Sequence, residues 1–137
     1  MRIMAIDYGD ARIGLAVSDE TASLCGEAWT LVERSMERAA EAIAKEAKAR
    51  NVESFVLGCP KNMDGTCGAR AEKSVRFKTL LEACSGIPVT LWDERLTTVE
   101  AHSVLRANGK KTKNHRGKID AVAASLILES FLGTIKK

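Results

Sequence analysis

The sequence predicts an α/β fold built on a mixed sheet flanked by helices, and three observations carry that prediction. Three short apolar runs open the chain before residue 33, the hydrophobic period changes to that of a helix at Ser35, and strands and helices alternate from there on. Right-handed crossovers then set the later strands parallel to the first. With 137 residues, the chain suits one domain, residues 1–137, long enough to bury a core without metal or disulfide staples.

The first strand is the apolar run Ile3 to Ile6, which ends on an acid, Asp7, before Gly9 and Asp10 interrupt it. Arg12 to Ser18, RIGLAVS, is the second run; the brief interruption from Tyr8 to Ala11 fits a hairpin and makes the two strands antiparallel. Glu27 to Val32 extends the meander as a third strand. Between Ser35 and Arg50, residues Met36, Ala39, Ala40, Ile43, Ala44 and Ala47 recur at helical spacing with charges opposite, and Ser35 stands at the capping position.

Val52 to Leu57 reads as a strand that ends at Gly58-Cys59-Pro60, with a polar loop from Lys61 to Gly68 behind it. Ala69 to Cys84 returns to helical spacing, and Gly86 is its stop. Ile87 to Trp92 is a further strand and runs directly into Asp93-Glu94-Arg95. Thr97-Thr98-Val99-Glu100 is a capping box that predicts a short helix ending near Asn108-Gly109. Between Ala107 and Ile119 stand five cations and no acid, which reads as a mobile basic loop. Ile119 to Leu132 is apolar almost all round and predicts a buried helix with Asp120 in its first turn and Gly133 as its stop.

Composition narrows the function classes. No apolar run approaches the roughly 18 residues of a membrane span, and the opening MRIMAID is a strand with no leader pattern, so a cytoplasmic protein is expected. Cys25, Cys59, Cys67 and Cys84 form no CxxC pair and read as small buried hydrophobes. The net charge is +3, but Leu105 to Lys137 holds eight Lys or Arg against two acids, a local +6 that leaves −3 for the rest. A basic C-terminal third on a mildly acidic domain points to a polyanionic partner.

The acids carry the chemistry. A carboxylate at the mouth of a buried strand is unfavourable unless it meets a cation or backbone donors, and Asp7 stands there. In a parallel arrangement the last strand brings Asp93-Glu94 to the same end of the sheet, where ligands of open α/β sheets collect. Adjacent strand residues face opposite ways, so one of the pair shares the face of Asp7, and Glu94 has the longer reach. Asp120 adds a third carboxylate. Clustered carboxylates repel unless a divalent cation neutralises them, and hard oxygen donors suit Mg²⁺ or Mn²⁺. Such an ion beside a basic surface suggests phosphodiester hydrolysis. Arg12, Lys61, Arg70 and Arg95 stand in or beside the motif loops as phosphate contacts, and Lys110, Lys111, Lys113, Arg116 and Lys118 as a backbone clamp.

Four blocks complete the reading. They are Asp7-Tyr8-Gly9 with Arg12 to Ala16 and Ser18-Asp19; Gly58 and Pro60 with Asn62 to Thr66; Asp93 to Thr98 with Ala101; and Lys118 to Ala124. In order and spacing they span almost the whole chain, which resembles the YqgF family of the RNase H-like superfamily, relatives of Holliday-junction resolvases that carry the name pre-16S rRNA nuclease. The resemblance implies a five-stranded mixed sheet of order 3-2-1-4-5. It also implies an acidic metal site of Asp7, Glu94 and Asp120, and a metal-dependent endonuclease that processes the 5′ end of pre-16S rRNA. Related resolvases carry their second acid on the fourth strand, where this chain offers only Glu53 at the beginning.

The rival substrate is four-way DNA, whose symmetric cleavage calls for a homodimer where a monomer serves otherwise. A different class is a non-catalytic nucleic-acid-binding or ribosome assembly factor on the same fold. An actin-like nucleotide phosphohydrolase also opens with a strand-end Asp, but it needs two large domains that this length does not supply.

Overall fold

The computed structural model describes residues 2–9, 11–19, 25–59, 69–93 and 116–135. Five strands form one sheet: β1 (Arg2–Asp7), β2 (Arg12–Ser18), β3 (Cys25–Val32), β4 (Val52–Cys59) and β5 (Val89–Asp93). Their order is β3-β2-β1-β4-β5, as the family resemblance implied. The β1–β2 and β2–β3 pairs are antiparallel, and β4 runs parallel to both β1 and β5. Three helices accompany the sheet: α1 (Met36–Ala49), α2 (Ala69–Ser85) and α3 (Arg116–Ile135).

Strand alternation splits the core into two layers. Met4, Ile6, Ile13, Leu15, Phe55 and Leu57 face α1 and α2, where they meet Ala40, Ile43, Phe77 and Leu81. Ile3, Ala5, Ala16 and Val56 face the other way and pack on Ala124, Ile127, Leu128 and Leu132 of α3. The sequence periods therefore describe real faces, and α1 buries the stripe its spacing predicts.

Helix ends follow local chemistry. Ser35 caps α1, its hydroxyl accepting from the Arg38 amide at 3.3 Å. After α1 the chain turns through Asn51 at φ 58°, a left-handed conformation that asparagine tolerates. Gly86, at φ 71°, ends α2 and gives its amide to the Glu82 carbonyl at 2.9 Å. Arg50, just beyond α1, ties the helix to β3: its guanidinium pairs with Glu27 and Glu46 and lies 4.3 Å from the centre of the Trp29 ring. Those hydrogen bonds, to Glu27 first and Glu46 second, raise its pKa above the ordinary arginine value.

Several boundaries differ from the sequence expectation. β3 begins at Cys25 rather than Glu27, β4 continues to Cys59 rather than Leu57, and β5 spans Val89–Asp93 rather than Ile87 to Trp92. Ladder pairing with neighbours decides these ends, and apolar content does not. The last helix starts at Arg116, not Ile119, so Arg116 and Lys118 belong to its first turn and not to a loop, and Asp120 falls in the second turn. Gly117 sits among first-turn amides that have no intrahelical partner to lose, which limits its effect. The helix also passes Gly133 and ends at Ile135. Gly133 stays outside the left-handed region that a glycine stop requires, and Leu132, 1% exposed, anchors that turn. Cys84 is exposed rather than buried, because it lies on the outward side of α2. The capping-box helix near 97–108 and most of the basic loop lie outside the described residues.

Candidate acidic site at the carboxyl ends of the strands

Asp7 closes β1 at the end where β4 and β5 also finish. It is partly buried. Since Ile3 and Ala5 pack against α3, alternation sets Asp7 on that same face, while Tyr8 turns to the other side and rests on Phe77 with ring centres 4.6 Å apart. The turn behind it requires glycine: a Cβ on Gly9 would stand 2.5 Å from the Arg12 carbonyl oxygen. Arg12, exposed at the start of β2, occupies a strand position on the face of Asp7, because Ile13 packs toward α1 and α2.

The register defines what surrounds the acid. Asp7 pairs with Gly14, and Gly14 pairs with Thr30. On the other side, Ile6 pairs with Leu57, so the next step sets Asp7 beside Gly58, which pairs with Trp92. Across the α3 face of the sheet the row is therefore Thr30, Gly14, Asp7, Gly58, Trp92. Neither neighbour of the acid has a side chain. Gly14 and Gly58 are both buried, and the Gly58 carbonyl accepts from the buried Ser74 hydroxyl of α2 at 3.4 Å. Trp92 meets Phe131 of α3 edge to face, with centres 5.6 Å apart, and its buried Nε1 has no acceptor among the described residues.

The position of the other predicted residues varies. β4 separates β1 from β5, so the two acid-bearing strands are two spacings apart, about 10 Å. Glu53 is exposed at the far end of β4, at an irregularity where Arg2 pairs with Val52 and Ile3 with Ser54. It is thus not part of this end of the sheet. Asp120 lies in α3 one turn before Ala124, which packs against the Asp7 face, and its side chain lies outside what is described. Glu94, Lys61, Arg95, Lys110, Lys111 and Lys113 lie outside the described residues. Arg70 falls in the first turn of α2, and Arg116 and Lys118 in the first turn of α3. Among the described residues no three His, Cys, Asp or Glu side chains come together as metal ligands.

The residue-by-residue reading did not single out the glycines that flank Asp7. Glycine inside a strand weakens it and often marks a close approach, a signal available at Gly14 and Gly58 once they are assigned to strands.

Comparison with known proteins fits this geometry. A family model described as "RuvX: Holliday junction resolvase" matches residues 1–134. A protein of Syntrophus aciditrophicus named "Putative pre-16S rRNA nuclease" is 43% identical over 137 residues, covering 100% of this chain and 91% of its own. One of Halothermothrix orenii with the same name is 43% identical over 132 residues, covering 96% and 94%. Among solved structures, Thermus thermophilus RuvC in complex with a Holliday junction superposes with a TM-score of 0.60 at 13% identity, over 98% of this chain and 97% of that one. Fowlpox virus resolvase with Holliday junction DNA reaches 0.63 at 15% identity, over 100% of both chains. At such identities the likeness establishes the fold, which is RNase H-like. No helix among the described residues is long and apolar enough to cross a membrane.

Proposed function

The chain belongs to the RuvX family, as the YqgF resemblance implied, and on that premise we propose that this nuclease is a divalent-metal-dependent endonuclease with Asp7, Glu94 and Asp120 as its acidic centre. The observation that carries the reading is Asp7 itself: a carboxylate at the carboxyl end of the central strand, on the face that α3 covers, with a glycine on either side. The alternation of Leu91 toward α1 and α2 and Trp92 toward α3, carried forward, favours Glu94 over Asp93 as the second acid. Asp120 joins from the helix row that packs on the same face.

The donor set is all carboxylate, which fits Mg²⁺ or Mn²⁺. Such an ion, when bound, neutralises the acids, acidifies a water and stabilises the leaving oxygen of a phosphodiester. The chain's own residues hold and orient. Asp7 is fixed by the β1–β2 pairing, and Arg12, on the same face across the Gly9 turn, receives a phosphate oxygen. Arg70, Lys61 and Arg95 are assigned to phosphate contacts, and Lys110, Lys111, Lys113, Arg116 and Lys118 to a clamp on the nucleic-acid backbone, so binding weakens steeply with salt.

The substrate is an rRNA precursor, the reading supported by relatives at 43% identity named for pre-16S rRNA. Four-way DNA is the alternative, supported by the shared fold with resolvases that bind junctions. The test incubates purified protein with Mg²⁺ or Mn²⁺ and precursor rRNA, four-way junctions or single strands. Cleavage of precursor rRNA near the 5′ end of 16S is expected, and cleavage of junctions alone overturns the RNA reading. Asp7→Asn should lower cleavage more than about a hundredfold, beyond the effect of an outer-shell change, while nucleic-acid affinity stays near that of the parent. Unchanged turnover in Asp7→Asn would overturn the assigned site, whereas binding without cleavage of any of these substrates by the parent would favour a non-catalytic binding or assembly factor, a reading that draws on the lack of an acid at Ser54, Val56 and Gly58 of β4.

A further inference from the structure

A groove of about 640 Å³ runs between α1 and α2, on the layer of the protein opposite the Asp7 face. From α1 it receives Arg38, Glu41, Lys45 and Lys48, and from α2 it receives Cys84. The four charged residues follow one another at steps of three, four and three, which keeps them on one side of the helix. Ala42 and Ala44 also line the groove, and their short side chains leave it open. Three cations against one acid give it a local charge of +2.

These charges are not spent on each other. Elsewhere on the same helices, partners four residues apart do close: Arg50 Nε meets Glu46 at 3.1 Å, and Lys78 Nζ meets Glu82 at 3.0 Å. Arg38, Glu41, Lys45 and Lys48 make no ion pair among the described residues, although Glu41 stands between Arg38 and Lys45 at pairing distance in sequence. A concave surface with one dominant sign of charge concentrates its field and draws ions of the opposite sign.

The course of the chain gives the groove a direction. Val32 pairs with Arg12, and the Glu33 amide donates to the Ala11 carbonyl at 3.0 Å, so α1 begins at the end of the sheet where Asp7 stands. It finishes at the other end, where Arg2 Nη1 donates to the Arg50 carbonyl at 3.0 Å. At about 1.5 Å per residue, Arg38 to Lys48 covers roughly 15 Å. Phosphates of one strand succeed each other every 3.4 Å or so of helix axis, so about four fit along it.

We propose that this groove is a second nucleic-acid contact, in which Arg38, Lys45 and Lys48 hold the phosphate backbone of a substrate arm leading away from the acid end of the sheet. The proposal rests on the nuclease reading above and adds a surface separate from the cations already assigned to phosphate. Backbone contacts of this kind add affinity and orientation without choosing a base sequence.

The test compares the parent with a triple variant, Arg38→Ala with Lys45→Ala and Lys48→Ala. Binding to a four-way DNA junction and to a precursor-rRNA fragment is measured across salt concentrations, without divalent ions so that the substrates stay uncleaved. All three positions are exposed on a helix, where alanine is the best-accepted residue. Each phosphate contact removed should flatten the plot of log affinity against log salt by about 0.9, so the triple variant should lose about 2–3 from the slope and bind roughly tenfold or more weakly at low salt. Glu41→Gln should tighten binding, and Lys78→Ala, whose cation Glu82 already holds, should keep the parent's slope. Equal affinity and slope in parent and triple variant overturn the role of the groove and leave the nuclease reading standing. A parent that binds neither nucleic acid overturns both. Poly-glutamate held by the parent and released by the triple variant, with nucleic-acid binding equal in the two, assigns the groove to an acidic protein segment and overturns the proposal. A second measurement needs no substitution. Cys84 is exposed on the groove, so bound nucleic acid should slow its alkylation by neutral iodoacetamide severalfold, read at that residue by peptide mass spectrometry. Alkylation of Cys84 at one rate with and without saturating nucleic acid overturns the proposal.

Discussion

The two faces of the sheet are built from side chains of different size. Toward α1 and α2 the core is bulky: Phe55, Phe77, Ile6, Ile13, Leu15 and Leu57 are each at most 1% exposed. Toward α3 the strands near β1 present smaller side chains, Ala5, Ala16 and Val56 beside Ile3, with Gly14 and Gly58 on either side of Asp7, and the helix supplies Ile127, Leu128 and Leu132. Large interlocking side chains bury apolar area and leave no space for a ligand. Small ones let a helix approach closely and leave the strand ends open to polar chemistry. Both faces thus bury apolar side chains, and the one with the smaller strand residues also carries the acid.

The comparison can be broken in order of expected effect. Phe55→Ala removes a fully buried ring from the bulky face and should lower stability by about 3–5 kcal/mol, measured by urea unfolding. Cleavage per folded molecule should persist; a matching loss of activity would show that the faces are not independent. Ala16→Leu enlarges the small face beneath α3 and should lower stability by about 1–3 kcal/mol through overpacking. It should also reduce cleavage in the folded fraction, because it displaces the helix that carries Asp120. A variant that loses stability but keeps full activity would detach α3 from the site.

The smallest effect concerns Glu82, on the α2 side. Its carboxylate accepts from the Val89 amide and from Lys78 Nζ, both at 3.0 Å, and so ties α2 to β5. The Val89 amide first, and Lys78 second, hold its pKa below the ordinary value of 4.5. A carboxyl more acidic when folded favours the folded state above its unfolded pKa, and that contribution is lost as pH falls through the folded value. Glu82→Gln should therefore lower Tm slightly at neutral pH, and the gap from the parent should shrink as pH falls below about 4.5. A gap that stays constant down to pH 3 would remove the carboxylate as its cause.

Much of the fold is legible in particular residues. Ser35 announces the start of α1 and Gly86 the end of α2, because capping and left-handed turns depend on a few neighbouring groups. The end of α3 was not legible: Gly133 looks like a stop, but packing of Leu132 carries the helix past it. Cys84 misled for a related reason, since residue type alone does not say which side of α2 it occupies. Of the site, Asp7 was legible as an acid at the end of a buried strand. Its glycine neighbours were not, because Gly14 is seven residues away and Gly58 fifty-one.

By itself, the sequence determined the elements, their periods and caps, and the identities of Asp7, Glu94 and Asp120 as candidate acids. These depend on short-range sterics and hydrogen bonding, which a local stretch of chain already contains. The family resemblance already implied that β4 lies between β1 and β5, and only the tertiary structure decided that Gly14 and Gly58 border Asp7. Register across a sheet is set by pairing between distant segments, and a slip of one residue would turn every side chain to the other face. The surroundings of the acid therefore come from how the strands align, not from any one of them.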